Sequence, residues 1–148
     1  IIVEFVDYNC GYCKKTLPTI SKLLKNFDNI QIVFVDYPIL SESSEIAARA
    51  SLAANEQNAY FEYHTIMLNN TKPINDNFLY KVAEKLSLDI EKFKTDISSD
   101  KIKNNIIKNM KFASSLKIRG TPTFIIGKQI LPGAYDYDKL KEIILDNS

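Results

Sequence analysis

The chain has only two cysteines, Cys10 and Cys13, and one histidine, His64. Two thiols and a lone imidazole do not make a four-ligand structural zinc site. One bridge between cysteines so close in sequence would constrain little of the unfolded chain, which excludes a disulfide-stapled secreted miniprotein. Excess charge of one sign is also missing. Nineteen basic against eighteen acidic residues leave a formal net charge of +1, so no global basic field steers the chain to nucleic acid or to an anionic membrane. Long hydrophobic runs are absent too, since the longest apolar stretches, such as residues 30–35, fall far short of the roughly 20 residues that span a bilayer. The start, Ile1-Ile2-Val3-Glu4, shows neither an initiator Met nor a charged-then-apolar leader, and is expected to result from processing or trimming.

What is present suits one folded domain with room for an inserted subdomain: 148 residues, 45% of them hydrophobic and 25% charged, near the averages of soluble globular proteins. Ile1 to Val6 is a short β-branched run that reads as a buried strand. From Tyr12, the residues Leu17, Ile20, Leu23, Leu24 and Phe27 recur at helical spacing, with Pro18 expected to kink the helix. Ile30 to Tyr37 reads as a second strand, giving β-α-β and hence parallel strands. Residues 41–116 read as helices: one capped by Ser43 or Ser44, then Tyr60 to Leu68, Asp76 to Leu86, Asp89 to Ile97 and Asp100 to Leu116. The β pattern returns at Arg119 to Lys128, with Gly127-Lys128 as a hairpin turn before Gln129-Ile130-Leu131, and Asp136 to Leu145 forms a last amphipathic helix. The expected fold class is α/β, a mixed sheet flanked by helices. Residues 1–40 and 117–148 form one discontinuous domain, and 41–116 form an inserted helical domain.

The chemistry concentrates at Cys10-Gly11-Tyr12-Cys13. A Cys-x-x-Cys at a strand-to-helix junction puts the first sulfur at a helix N-terminus, where unpaired N–H groups and the helix dipole favour a thiolate. Cys13 follows one turn along, close enough to form a disulfide with Cys10 and to resolve a mixed disulfide on it. The competing readings are an inert buried pair or half of a zinc knuckle.

These residues resemble the DsbA-like thiol–disulfide oxidoreductases, thioredoxin-fold proteins with an inserted helical domain. Glu4 stands six residues before the first cysteine, where the superfamily commonly has a buried carboxylate. Pro18 stands five after the second, Thr121-Pro122 matches the family's cis-proline loop, and Tyr60 to Leu68 is similar to a helix of bacterial members. The resemblance covers nearly the whole chain, less an N-terminal strand that many members carry ahead of the equivalent of Ile1.

The resemblance implies roles for these positions. Glu4 is expected to have a raised pKa and to exchange a proton with Cys13, directly or through water, unless it is an ordinary edge-facing residue. Pro122 is expected to be cis, turning the Thr121 backbone toward Cys10 as an edge for an extended substrate peptide, where otherwise it would be a strand-entry proline. His64 reads as packed or superficial rather than catalytic. Tyr8, Tyr12, Tyr37 and Phe124 are either apolar substrate contacts or core, core being the commoner fate of such residues.

No cofactor is implied beyond the redox-active disulfide Cys10–Cys13. Implied partners are cysteine-containing exported proteins and a membrane redox partner, in the periplasm or another exported compartment. Gly11-Tyr12 tunes the direction of electron flow: the strong oxidases often carry Pro-His there, whereas Gly-Tyr with Thr before the cis-proline resembles the dimeric isomerases. Oxidation of substrates is the favoured reading, with isomerase or reductase as the alternative. A peptide-binding chaperone module with incidental cysteines, and a zinc-binding thiol pair, are further readings.

Overall fold

A computed structural model describes all of residues 1–148. Eleven elements follow in chain order: β1 (Ile2–Val6), α1 (Gly11–Asn26), β2 (Ile32–Asp36), α2 (Glu42–Asn55), α3 (Tyr60–Asn69), α4 (Asp76–Lys85), α5 (Ile90–Ile97), α6 (Asp100–Ser115), β3 (Thr123–Ile126), β4 (Gln129–Pro132) and α7 (Tyr137–Asp146). The strands form one mixed sheet in the order β2-β1-β3-β4. β1 pairs parallel with β2 and antiparallel with β3, and β3 pairs antiparallel with β4. The fold class is thioredoxin-like, with the run of helices α2–α6 intervening between β2 and β3.

Alternation along the strands decides what lies on each face. Ile2, Phe124 and Ile126 pack with Ile20 and Leu23 of α1 and with Leu140 and Ile143 of α7. Phe5, Val35 and Tyr37 point the other way, onto Ala113 of α6 and Ile118. A third and larger apolar cluster is shared. Val6, Tyr8, Cys10, Cys13 and Leu17 belong to the same packed group as Ala50, Tyr63, Met67, Phe93 and Ile102 of the inserted helices, so those helices form the wall behind the cysteines.

Helix boundaries depart from the sequence reading in instructive ways. The cap of α2 is Ser41, whose hydroxyl accepts from the Ser44 backbone N–H at 3.3 Å. Ser43 and Ser44 lie inside the first turn, and Ser44 is committed to Asp7, donating to its carboxylate at 2.7 Å. α1 runs without interruption through Pro18, and β2 is shorter at both ends than the apolar run that marks it. Helices α4 to α7 start where their polar caps stand: Asn75, Asp89, Ser99 and Asp136 each accept from a backbone N–H three residues on, whereas α3 follows Ala59 with no side-chain cap.

With only four glycines in the chain, three helices are closed by left-handed residues that have side chains. Asn58, Ser87 and Lys117 have φ of 60°, 58° and 59° after α2, α4 and α6. The N–H of the next residue in each case bonds back to Ala54, Ala83 or Ala113, as in a Schellman ending. Gly127, at φ 60°, supplies the positive φ at the first corner of the β3–β4 turn.

Candidate active site

β1 ends at Val6, and the loop Asp7–Asn9 delivers the chain to Cys10, the N-cap residue of α1. This loop is held by side chains. The Asp7 carboxylate accepts from the Asn9, Ile39 and Leu40 backbone N–H groups at 2.8, 3.0 and 3.0 Å and from the Ser44 hydroxyl. Asn9 Nδ2 lies 3.1, 2.9 and 2.8 Å from the hydroxyls of Ser41, Ser43 and Ser44. Asp7 and Asn9 were not singled out in the sequence. Their signal, two Asx residues in the turn before the redox pair, is one that ordinary turns also carry.

At the cap, Cys10 Sγ accepts from the Cys13 backbone N–H at 3.2 Å, and its thiol donates to the Thr121 carbonyl at 3.3 Å. Both cysteines are free thiols in the structure and both are buried. The Cys10 thiol is lowered to about 6, chiefly by a hydrogen bond from the Cys13 side chain, against burial and with help from Thr121 and the backbone N–H groups of Cys13 and Tyr12. Cys13 moves far upward, because its hydrogen bond to Cys10 and its burial both favour the protonated thiol. The two sulfurs therefore divide: Cys10 ionises to the thiolate readily, and Cys13 keeps its proton.

Thr121 and Pro122 are joined by a cis peptide bond. They close the site from the sheet, Thr121 half-buried and Pro122 buried. Gly11 is exposed with open space around it. Tyr12 is 63% exposed, with the Lys15 ammonium 5.3 Å from its ring centroid. Of the four aromatics flagged in the sequence, only Tyr12 is at the surface of the site. Tyr8, Tyr37 and Phe124 are core residues.

Glu4 is not at an edge. It sits on an interior strand, flanked across the ladder by Phe34 on one side and Phe124 on the other, and is 1% exposed. One carboxyl oxygen is buried with no partner. Burial, and secondarily the Cys10 charge, raise Glu4 to about 8, so it is protonated at neutral pH. No direct hydrogen bond joins Glu4 to Cys13, and the charge it responds to is that of Cys10.

His64 is wholly buried, with its ring 4.3 Å from that of Phe34 and its Nδ1 2.7 Å from the Tyr8 hydroxyl. Burial lowers it to about 3, so it is neutral and out of reach of solvent. No cluster of three or more His, Cys, Asp or Glu side chains is assembled anywhere. A cavity of about 580 Å³ lined by Val3, Phe27, Ile30 and Ile144 lies at the opposite end of β1 from the cysteines and is not part of this site.

With this geometry in hand, comparison with known proteins places the chain. Residues 1–145 match the family described as DSBA-like thioredoxin domain. The chain belongs to that family. It is a thiol–disulfide oxidoreductase domain of the DsbA type. A thioredoxin-like oxidoreductase from Silicibacter pomeroyi superposes with a TM-score of 0.93 at 30% identity, over 98% of this chain and 84% of that one. The thiol-disulfide exchange protein alpha-DsbA2 from Wolbachia pipientis superposes with a TM-score of 0.92 at 30% identity, over 99% and 81%. Among curated relatives, a probable disulfide bond formation protein D of Bacillus cereus is 29% identical over 97% of this chain and 71% of its own length. An Na(+)/H(+) antiporter NhaA 3 of Salinispora tropica is 27% identical over 97% of this chain, which spans only 22% of that protein. No helix here is long and apolar enough to cross a membrane.

Proposed function

We propose that this DsbA-like domain oxidises cysteine pairs in exported proteins, passing its Cys10–Cys13 disulfide to them. The observation that carries this reading is the division of the two thiols, Cys10 lowered to about 6 and Cys13 moved upward by the same hydrogen bond. A substrate thiolate attacks Cys10 Sγ, the Cys10–Cys13 bond breaks, and Cys13 leaves and takes a proton. The second substrate thiolate then attacks its own sulfur in the mixed disulfide and expels Cys10 as a thiolate. Substrate leaves oxidised by two electrons, and the domain holds one thiol and one thiolate. A leaving thiol of low pKa speeds the last step and opposes its reversal.

In this scheme the protonated Glu4 is the store from which the Cys13 sulfur is protonated, through intervening water. Thr121, its carbonyl facing Cys10, offers a main-chain edge on which an extended substrate docks beside Pro122. The disulfide itself is the only redox group the reaction requires. Reoxidation falls to a membrane partner, and the compartment is the periplasm or another exported space, where disulfides persist. The name of the Bacillus cereus relative supports the oxidative direction.

One observation favours a less oxidising variant. No imidazole stands beside Cys10, because residues 11 and 12 are Gly and Tyr and the single histidine is buried against Tyr8. Equilibration of the purified domain with glutathione separates the directions. A potential near about −120 mV identifies an oxidase, and one near about −270 mV identifies a reductant and overturns the proposal. Cys10→Ser distinguishes both from a chaperone module, since it abolishes exchange and would leave simple peptide binding intact.

A further inference from the structure

Four polar side chains behind the dithiol have no part in the exchange steps. Tyr8, in the loop that delivers Cys10, is 1% exposed, His64 0% and Asp36 1%. The Tyr60 hydroxyl donates to Asp36 Oδ2 at 3.0 Å, and the Tyr8 hydroxyl donates to the Tyr60 oxygen at 3.3 Å. The Tyr8 oxygen is also 2.7 Å from His64 Nδ1.

Hydrogen counting orients this chain. A phenol has one hydrogen. Tyr60 gives its own to Asp36, so it can only accept from Tyr8. Tyr8 then has none for His64 and must accept, which puts the imidazole hydrogen on Nδ1. The two ends agree: His64 Nε2 and Asp36 Oδ1 are both buried without a partner. A bare lone pair is the less costly orphan, since unpaired buried N–H groups are rarer than under-satisfied acceptors.

We propose that Tyr8 is a positioning residue for Cys10, held by a one-way donor chain from His64 through Tyr8 and Tyr60 to Asp36 that reverses when Asp36 takes up a proton. The reversal balances with one proton from solvent. It enters at His64 Nε2, the Nδ1 hydrogen passes to Tyr8, that of Tyr8 to Tyr60, and that of Tyr60 to Asp36. Asp36 is then neutral and donates, and His64 is neutral with its hydrogen on Nε2. That N–H is buried with no partner, and the charged acceptor at the Asp36 end is gone, so the reversed chain is the weaker one and holds Tyr8 less firmly. Tyr8 shares one apolar cluster with Cys10 and Cys13, and the Cys10 N–H bonds to the Asp7 carbonyl at 3.0 Å, so movement of Tyr8 is felt at the nucleophile.

The surroundings of Asp36 leave the chain as its main control. α3 contributes Tyr60 and, through Tyr8, His64. The loop after β1 contributes Tyr8 and Asp7, whose charge adds to the burial that raises Asp36 to about 7. From β1, Val6 stands opposite. From α6, the Asn109 side chain donates to the Asp36 backbone carbonyl at 3.0 Å, and Asp36 is in none of the ion pairs.

The effect on Cys10 rests on its being the reactive thiol, but the state of His64 does not, and the test uses both. Nitrogen-15 NMR of the whole domain in its dithiol form should show His64 with Nδ1–H at high pH, changing to Nε2–H on acidification through about 7. In parallel, the rate of Cys10 alkylation by iodoacetamide should show a second inflection near that pH, beside the thiolate step near 6. Tyr60→Phe and Asp36→Asn should each abolish the second inflection and leave the His64 tautomer insensitive to pH. An Nε2–H tautomer at every pH in the unaltered domain overturns the proposal, even if both variants fail to fold. So do variant profiles that superimpose on the parent. Loss of exchange activity with the tautomer change intact would refute the proposed function instead.

Discussion

Cys10 Sγ lies 3.3 Å from the carbonyl oxygen of Thr121, a residue 111 positions away in the chain. The contact joins the N-terminus of α1 to the loop that enters β3, across everything the inserted helices contribute between them. The Cys10 sulfur therefore sits where sheet, loop and helix meet.

The thiolate should titrate as a single group. Ultraviolet absorbance of the dithiol form is expected to rise with a midpoint near 6, from Cys10 alone, while Cys13 stays protonated through the accessible range. The folded value lies below the free thiol's ordinary value of 9. The thiolate thus stabilises the dithiol form fully only above that unfolded value, and the stabilisation is lost as pH falls toward 6. Cys13→Ser should trap mixed disulfides on Cys10. A midpoint near 9 would contradict the site geometry.

Glu4 produces the opposite slope. Its folded value of about 8 stands above the free carboxyl's ordinary 4.5. Below 4.5 the carboxyl is protonated in both states, and its contribution is lost as pH rises toward 8, because only the unfolded chain ionises readily. Glu4→Gln removes that loss. Urea denaturation of the dithiol form should show the variant gaining up to about 3 kcal/mol over the parent at neutral pH and little below 4.5. Slower turnover in the same variant, with an unchanged Cys10 titration midpoint, would support a proton-handling role.

Asp7 holds the loop through four acceptances, three of them from backbone N–H groups. Asp7→Ala removes four hydrogen bonds to a buried carboxylate, and the expected cost is about 3 kcal/mol in denaturant unfolding. Accessibility of Cys10 to alkylation should change as well. A loss under about 0.5 kcal/mol would mean that water replaces the carboxylate without penalty.

Ser87 and Lys117 occupy left-handed positions at helix ends. Ser87→Gly and Lys117→Gly should each stabilise the domain by up to about 1 kcal/mol, read as a raised Tm, because glycine meets no Cβ conflict there. Asn58→Gly should gain less, since asparagine already tolerates this backbone.

Local signals carried much of this reading. The β-branched run at β1, the helical period from Leu17 to Leu23 and the polar caps at Asn75, Asp89 and Asp136 are short-range patterns, and the corresponding elements formed. Cys10 at a strand-to-helix junction was legible for the same reason, since the loop is short and a helix must begin there. Burial of His64 was one of two open readings, and only the packing of α3 against Phe34 decided it.

What the sequence by itself determined is the order of elements and the placing of two thiols one helical turn apart, because both follow from spacing along the chain. Tertiary structure alone decided that Ser41 rather than Ser43 caps α2, that Glu4 lies between two phenylalanines on an interior strand, and that Asp36, Tyr60, Tyr8 and His64 meet behind the dithiol. Desolvation and hydrogen bonding act between residues tens of positions apart. The chemistry of Cys10 and Glu4 therefore depends on contacts that no local pattern encodes.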